Sequence, residues 1–137
     1  MAFGKRDVED VKDVSPSRID TLNEVLADLK SASGEIDACA VVSGDGLTMA
    51  SLLPPQIDEP TVSSMSAIMI SMGERTSVAL ARGPVEQLFV MGEKGYVISQ
   101  YAGKNALLMV LAPKNAKLGV LFFYLSKAAE RVKEILS

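Results

Sequence analysis

The sequence predicts an α+β fold, an α/β sandwich in which a five-stranded antiparallel sheet carries helices on both faces. The predicted order is α-β-β-α-β-β-β-α. Two observations support it. Three segments repeat apolar residues at the three- and four-residue spacing of a helix, and five short apolar runs are bounded by glycine-rich turns. The length of 137 residues fits one domain, with no room for a second.

The first helix and the first hairpin have recognisable ends. Ser15 and Pro16 are typical of a helix N-cap followed by proline at the first helical position, and Gly34 is typical of a helix end. Residues 36–42 and 47–53 follow as two strands, and the Ser-Gly-Asp-Gly turn between them predicts an antiparallel hairpin.

The second half of the chain predicts a helix, three strands and a last helix. The middle helix covers residues 60–82 and should stop at Gly83 and Pro84. Strands are predicted at residues 85–91, 96–102 and 106–112. The last of these is apolar at every position, so it should be central and covered on both faces. Asn115 is the predicted cap of the final helix.

Residues 1–14 are predicted to be a disordered, solvated arm, and residues 15–137 the folded domain. The arm mixes acidic and basic side chains. A bound helix is the alternative, because Val8, Val11 and Val14 recur at every third position.

Composition excludes several classes of function. Fourteen basic against 17 acidic residues, with 5% aromatic residues, argue against nucleic-acid binding. The absence of histidine removes histidine-dependent catalysis and histidine metal sites. No apolar run approaches a membrane span, so direct membrane insertion is not expected. One cysteine cannot form an internal disulfide, which favours a cytoplasmic setting.

No catalytic, cofactor or metal site is expected. Cys39 has no histidine to activate it, and Gly103-Lys104-Asn105 lacks the spacing of a phosphate-binding loop. Arg75 and Arg82 are weak candidates for arginine fingers acting on a partner's phosphates.

The middle helix is apolar over too wide an arc for one interface. On a helical wheel, its uncharged surface spans about 200°, whereas packing on one sheet needs a stripe of about 100°. Small side chains at Ser66, Gly73 and Ser77 would allow a partner helix to approach closely. The alternative is that the methionines of this helix only fill an irregular core.

Five stretches carry a resemblance to the Roadblock family, and above all to its prokaryotic members described as regulators of Ras-like GTPases. These stretches are residues 53–58, residues 65–67 with 72–75, residues 92–96, residues 106–112 and residues 115–119. The resemblance covers about residues 17–136. It implies the Roadblock/profilin-like fold, a homodimer in which the middle helices pair and residues 85–91 join two sheets into one, and binding to a small Ras-like GTPase.

The wheel and the resemblance together predict the contact residues. The homodimer interface is assigned to Val62, Met65, Ser66, Met69, Ile70, Gly73, Ser77, Val85, Gln87 and Phe89. Exposed Ser71, Glu74 and Arg75 are the candidates for contacting the GTPase. The expected function is a non-catalytic homodimeric regulator of GTP hydrolysis or localisation. The alternatives are a structural adaptor in a motor or membrane-associated complex, and a small-molecule-sensing domain.

Overall fold

The protein is described from a computed structural model that covers residues 16–137. The helices are α1 (Pro16–Ser33), α2 (Glu59–Ala79) and α3 (Leu118–Leu136), and the strands are β1 (Ala38–Ser43), β2 (Thr48–Leu52), β3 (Gln87–Gly92), β4 (Gly95–Tyr101) and β5 (Ala106–Pro113). This order confirms the predicted α-β-β-α-β-β-β-α sequence. The predicted arm and the Ser15 cap lie outside the described residues.

The five strands form one antiparallel sheet in the spatial order β2-β1-β5-β4-β3. The predicted central position of β5 is confirmed, because it pairs with β1 on one side and β4 on the other. Its continuous apolar sequence suits a strand covered on both faces. Strands β2 and β3 are therefore the two edges.

The two faces of the sheet are covered very differently. Helices α1 and α3 pack on one face, where the main core includes Leu22, Leu26, Leu121 and Leu125. Helix α2 crosses the other face over a small cluster made of Ala40, Val42, Val62 and Met109. In its 21 residues only Val62 and Ser66 are buried, so α2 is held by far less apolar burial than its length allows.

The start of α2 follows the sequence prediction and its end does not. The Asp58 carboxylate accepts hydrogen bonds from the Thr61 backbone N–H (3.0 Å) and hydroxyl (2.8 Å), which caps the helix. The helix ends at Ala79, before the predicted stop at Gly83. Ala81 adopts a left-handed φ of 61°, and the Arg82 N–H bonds back to the Ser77 carbonyl at 2.7 Å. This is a Schellman closure with alanine where glycine is usual.

The predicted cap of the last helix is wrong. Helix α3 begins at Leu118, and its N-cap position is Lys117, whose side chain makes no capping hydrogen bond. Asn115 lies two residues too early, in the turn that the Ala116 N–H closes onto the Pro113 carbonyl at 3.0 Å.

Candidate protein-interaction surface

Helix α2 lies against its own sheet through small side chains. Ser66 is 1% exposed, and its hydroxyl donates to the Met109 sulfur of β5 at 3.2 Å. Val62 belongs to the buried cluster beneath the helix. These two side chains offer no accessible surface to a partner, so their predicted role in a helix-to-helix dimer contact is corrected.

Gly73 and Ser77 continue this stripe along the same side of α2. A Cβ atom at Gly73 would lie 2.6 Å from Leu88 Cδ2 of β3, so the helix backbone sits directly on that side chain. The Ser77 hydroxyl donates to the Gly83 carbonyl in the turn after the helix. The small residues therefore allow close approach within the chain, to β3 and to the turn after the helix.

The larger apolar side chains of α2 consequently point outward. Ile68 is 54% exposed, and Met65 and Met72 are exposed to a similar degree. We call this region the α2–β3 surface, made of Met65, Ile68, Met72, Leu80 and Val90. The helical wheel detected the excess apolar width of this helix. The wheel could not show which part of the apolar arc would pack against the sheet.

Strand β3 borders the same region and has an open edge. Val85, predicted within this strand, precedes it, and the Gln87 side chain bonds to the Gln100 side chain of β4 at 3.1 Å. Phe89 is turned to the opposite face, where its ring lies 5.3 Å from the Tyr96 ring and 6.1 Å from the Phe122 ring. A hollow of about 740 Å³ opens between α2 and β3 beside the Gly73–Leu88 contact, with Met72, Leu80 and Val90 in its lining.

Glu74 fixes the position of α2 instead of extending into solvent. One carboxylate oxygen accepts the Val85 N–H at 2.9 Å, and the other accepts the Tyr101 hydroxyl at 2.8 Å. Both bonds lower the pKa of Glu74, and the bond from the Val85 N–H has the larger effect. Burial, followed by the neighbouring Glu74 carboxylate, raises the pKa of Tyr101 to about 12. Of the three candidates for GTPase contact, only Ser71 and Arg75 are exposed.

The remaining candidate sites show ordinary structural roles. Cys39 is buried in β1, and desolvation raises the pKa of its thiol to about 11, although Lys30 opposes this. Gly103-Lys104-Asn105 forms the turn that the Ala102 N–H closes onto the Ala106 carbonyl. Among residues 16–137, no cluster of three or more potential ligands could hold a metal ion. None of the helices described is long and apolar enough to cross a membrane.

Comparisons with known proteins agree on this architecture. The uncharacterized protein MJ1340 of Methanocaldococcus jannaschii is 33% identical over 112 residues, covering 82% of this chain and 96% of its own. The structure of Myxococcus xanthus MglB superposes with a TM-score of 0.81 at 17% identity, covering 88% of this chain and 91% of its own. A structure described as MglB with tetrameric arrangement gives 0.82 at 19% identity, covering 94% and 97%.

The fold extends to profilins. Profilin II of Acanthamoeba castellanii superposes with a TM-score of 0.62 at 13% identity, covering 82% of this chain and 97% of its own. The predicted Roadblock/profilin-like fold is thus confirmed. The family model for the Roadblock/LC7 domain matches residues 21–112. The chain belongs to the Roadblock/LC7 domain family.

Proposed function

We propose that the chain is a non-catalytic, cytoplasmic homodimeric regulator that binds a small Ras-like GTPase and modulates its GTP hydrolysis or its localisation. Membership of the Roadblock/LC7 family supports a general role in GTPase regulation. The observation that carries the proposal is the α2–β3 surface: a helix with large apolar side chains facing solvent, beside the open edge of a sheet.

The dimer part of the proposal follows from the free-energy cost of exposing the apolar α2–β3 surface to water. Exposed apolar patches of this kind mark protein interfaces, and each large apolar side chain that becomes fully buried contributes about 1.5–3 kcal/mol. A two-fold axis beside β3 would pair the two β3 edges and bring the two α2 helices together. Met65, Met69, Ile70, Ile68 and Met72 then supply the helix contact. Val85, Gln87 and Phe89 lie along the edge that would be joined.

A matched pair of charge substitutions tests the dimer. Met72→Glu should give a monomer by light scattering at micromolar concentration, because it places a carboxylate in a desolvated contact. Phe123→Glu introduces the same charge at an equally exposed side chain on α3 and should leave the dimer intact. A wild-type monomer, or a dimer insensitive to Met72→Glu, would contradict this arrangement.

The GTPase part rests on the exposed polar side of α2. Ser71 and Arg75 face solvent, so two copies of α2 side by side would present them as one platform. Glu74 contributes indirectly, by holding α2 against the sheet. The platform would recognise the switch loops, which the γ-phosphate orders, and any change in hydrolysis would come from different contacts with their two states.

Single-turnover GTP hydrolysis by a small Ras-like GTPase from the same organism, with and without the protein, tests the regulatory role. Acceleration that saturates with added protein supports an activator. Arg75→Ala should weaken affinity and reduce the saturated rate far less than the roughly 10³-fold loss expected of a removed arginine finger. Binding that ignores the bound nucleotide, with no change in rate, would favour the adaptor function.

The hollow between α2 and β3 supports one alternative, a small-molecule-sensing domain. Its volume of about 740 Å³ is within the range of ligand pockets, and its lining is mainly apolar. A small molecule that remains bound to the purified protein in native mass spectrometry, and is lost in Leu88→Arg, would favour this function over GTPase regulation.

A further inference from the structure

A second surface, on the side of the sheet away from α2, differs in charge from the rest of the chain. The chain as a whole carries a formal charge of −3. Residues 94–129, however, contain no aspartate, glutamate or arginine. Their charged residues are all lysines, namely Lys94, Lys104, Lys114, Lys117 and Lys127.

Two of the chain's connections, the β3–β4 turn and the connection from β5 to α3, bring most of these lysines to one corner. Gly95 of β4 pairs with Pro113 at the end of β5, so the β3–β4 turn lies beside the connection that leads into α3. The Lys114 ammonium donates to the Gly92 carbonyl at the end of β3 at 3.1 Å and lies 5.6 Å from the centre of the Tyr96 ring. Lys94 belongs to the same turn, and Lys117 is the residue before α3.

The first turns of α3 add exposed apolar side chains to this corner. The buried stripe of the helix uses other positions, Leu121 and Leu125 among them. Phe123 is 57% exposed, Val120 is also exposed, and the Lys127 ammonium lies 5.0 Å from the centre of the Phe123 ring. The core therefore does not account for Val120 or Phe123. We call this region the lysine corner: Lys94, Lys114, Lys117, Lys127, Val120 and Phe123.

We propose that the lysine corner is a peripheral docking surface for an anionic lipid bilayer. Lysines near such a surface are attracted to its negative potential, and their long aliphatic stems reach headgroups while Phe123 and Val120 enter the interface. Three acidic residues lie near the corner: Glu93 beside Lys94, Asp28 of α1 beside Lys127, and Glu130 one turn after Lys127. Asp28 is paired with Arg131 at 3.0 Å and Glu130 with Lys133 at 4.0 Å, so the corner lysines keep an excess of positive charge. The proposal is independent of the GTPase function.

Two features favour a lipid surface over an acidic protein partner. Protein interfaces are enriched in arginine and depleted in lysine, whereas every basic side chain at this corner is a lysine. In addition, Lys117 and Lys127 flank the exposed Val120 and Phe123 along the start of α3. Spaced lysines with a bulky aromatic residue are typical of segments that lie at a membrane interface.

Vesicle flotation tests the proposal with the full chain. The protein should bind phosphatidylcholine vesicles that contain about one-third phosphatidylserine, release at high salt, and bind pure phosphatidylcholine weakly. Each lysine neutralised should weaken binding about fivefold, so Lys117→Gln with Lys127→Gln should weaken it roughly 25-fold. Phe123→Ser should weaken it severalfold, and circular dichroism should report unchanged folding.

Lys104→Gln is the matched control, because Lys104 lies beyond the opposite end of β4. It removes the same charge and should change binding less than twofold. The proposal is overturned by equal binding to neutral and anionic vesicles, by no binding to either, or by equal losses in the control and the corner variants. Binding of a polyglutamate peptide that needs Lys117 and Lys127, without vesicle binding, would reassign the corner to an acidic protein partner.

Discussion

Gly73 of α2 lies so close to Leu88 of β3 that a methyl group at position 73 would come within 2.6 Å of the Leu88 Cδ2 atom. This contact joins the middle helix to the edge strand. It also determines which side of α2 meets the sheet, because only the stripe of small residues can approach that closely. The large apolar side chains are thereby left on the outer side.

The close contact predicts strong coupling between these two positions. Gly73→Ala should destabilise the protein by about 1 kcal/mol, because the overpacking cost of about 1–3 kcal/mol exceeds the gain in helix propensity of up to about 1 kcal/mol. In a Leu88→Ala background the same change should stabilise it by about 1 kcal/mol. Urea unfolding of the four proteins at one concentration measures this, and equal effects in both backgrounds would refute the contact.

The Tyr101–Glu74 hydrogen bond predicts a loss of stability in alkali. Because the folded-state pKa of Tyr101 is about 12 and its ordinary value is 10.0, the unfolded chain loses the phenolic proton first. Stability should therefore fall as the pH rises from about 10 to 12. Thermal unfolding of Tyr101→Phe should show a smaller fall over this interval, and parallel curves for the two proteins would contradict the prediction.

Glu74 predicts the opposite behaviour in acid. Its folded-state pKa lies below the ordinary value of 4.5, so its contribution is present above that pH and is lost as the pH falls through the lowered value. Glu74→Gln should be less stable than the wild type at neutral pH, with the difference shrinking in acid. A difference that stays constant down to acidic pH would mean that the carboxylate charge is unimportant.

The left-handed Ala81 predicts a stabilising substitution. An L-residue in this conformation costs about 1–2 kcal/mol, and glycine avoids most of that cost. Ala81→Gly should therefore raise the free energy of unfolding by about 1 kcal/mol. Ala79→Gly, the control within the last turn of α2, should lower it by about 1 kcal/mol. If both substitutions destabilise the protein, the closure after α2 is not the one described.

Burial of Cys39 predicts a thiol that reacts only after unfolding. With its pKa raised to about 11, little thiolate exists at about pH 8, and the side chain is inaccessible. Labelling by a disulfide reagent should proceed at the rate of global opening and become fast in denaturant. Rapid labelling of the native protein would contradict the packing of β1.

The order of the elements could be predicted from sequence because each has a local signal. The all-apolar β5, for example, indicated its own central position, and Gly34 indicated the end of α1. The orientation of α2 could not be predicted in the same way. Its wheel is apolar over so wide an arc that either side could face the sheet, and the choice depends on how closely Leu88 approaches.

The role of Glu74 was also beyond the sequence pattern. A charged residue on the polar side of an amphipathic helix is normally solvated, and its partners here, Val85 and Tyr101, are 11 and 27 positions away. Only the folded chain brings the three together. Asn115 illustrates a smaller error of the same kind, since a good capping residue was present but the turn before α3 placed Lys117 at the cap.

The most direct test of the central claim is a titration of the protein with a small Ras-like GTPase loaded with GTP or with GDP, followed by calorimetry. Differential contacts with the switch loops predict that the GTP-loaded form binds at least about fivefold more tightly, with one GTPase for every two chains if it covers the two-fold axis. Arg75→Ala should weaken binding of the GTP-loaded form. Equal affinity for both loaded forms, or no binding of either, would contradict the account of this chain as a nucleotide-sensitive GTPase regulator.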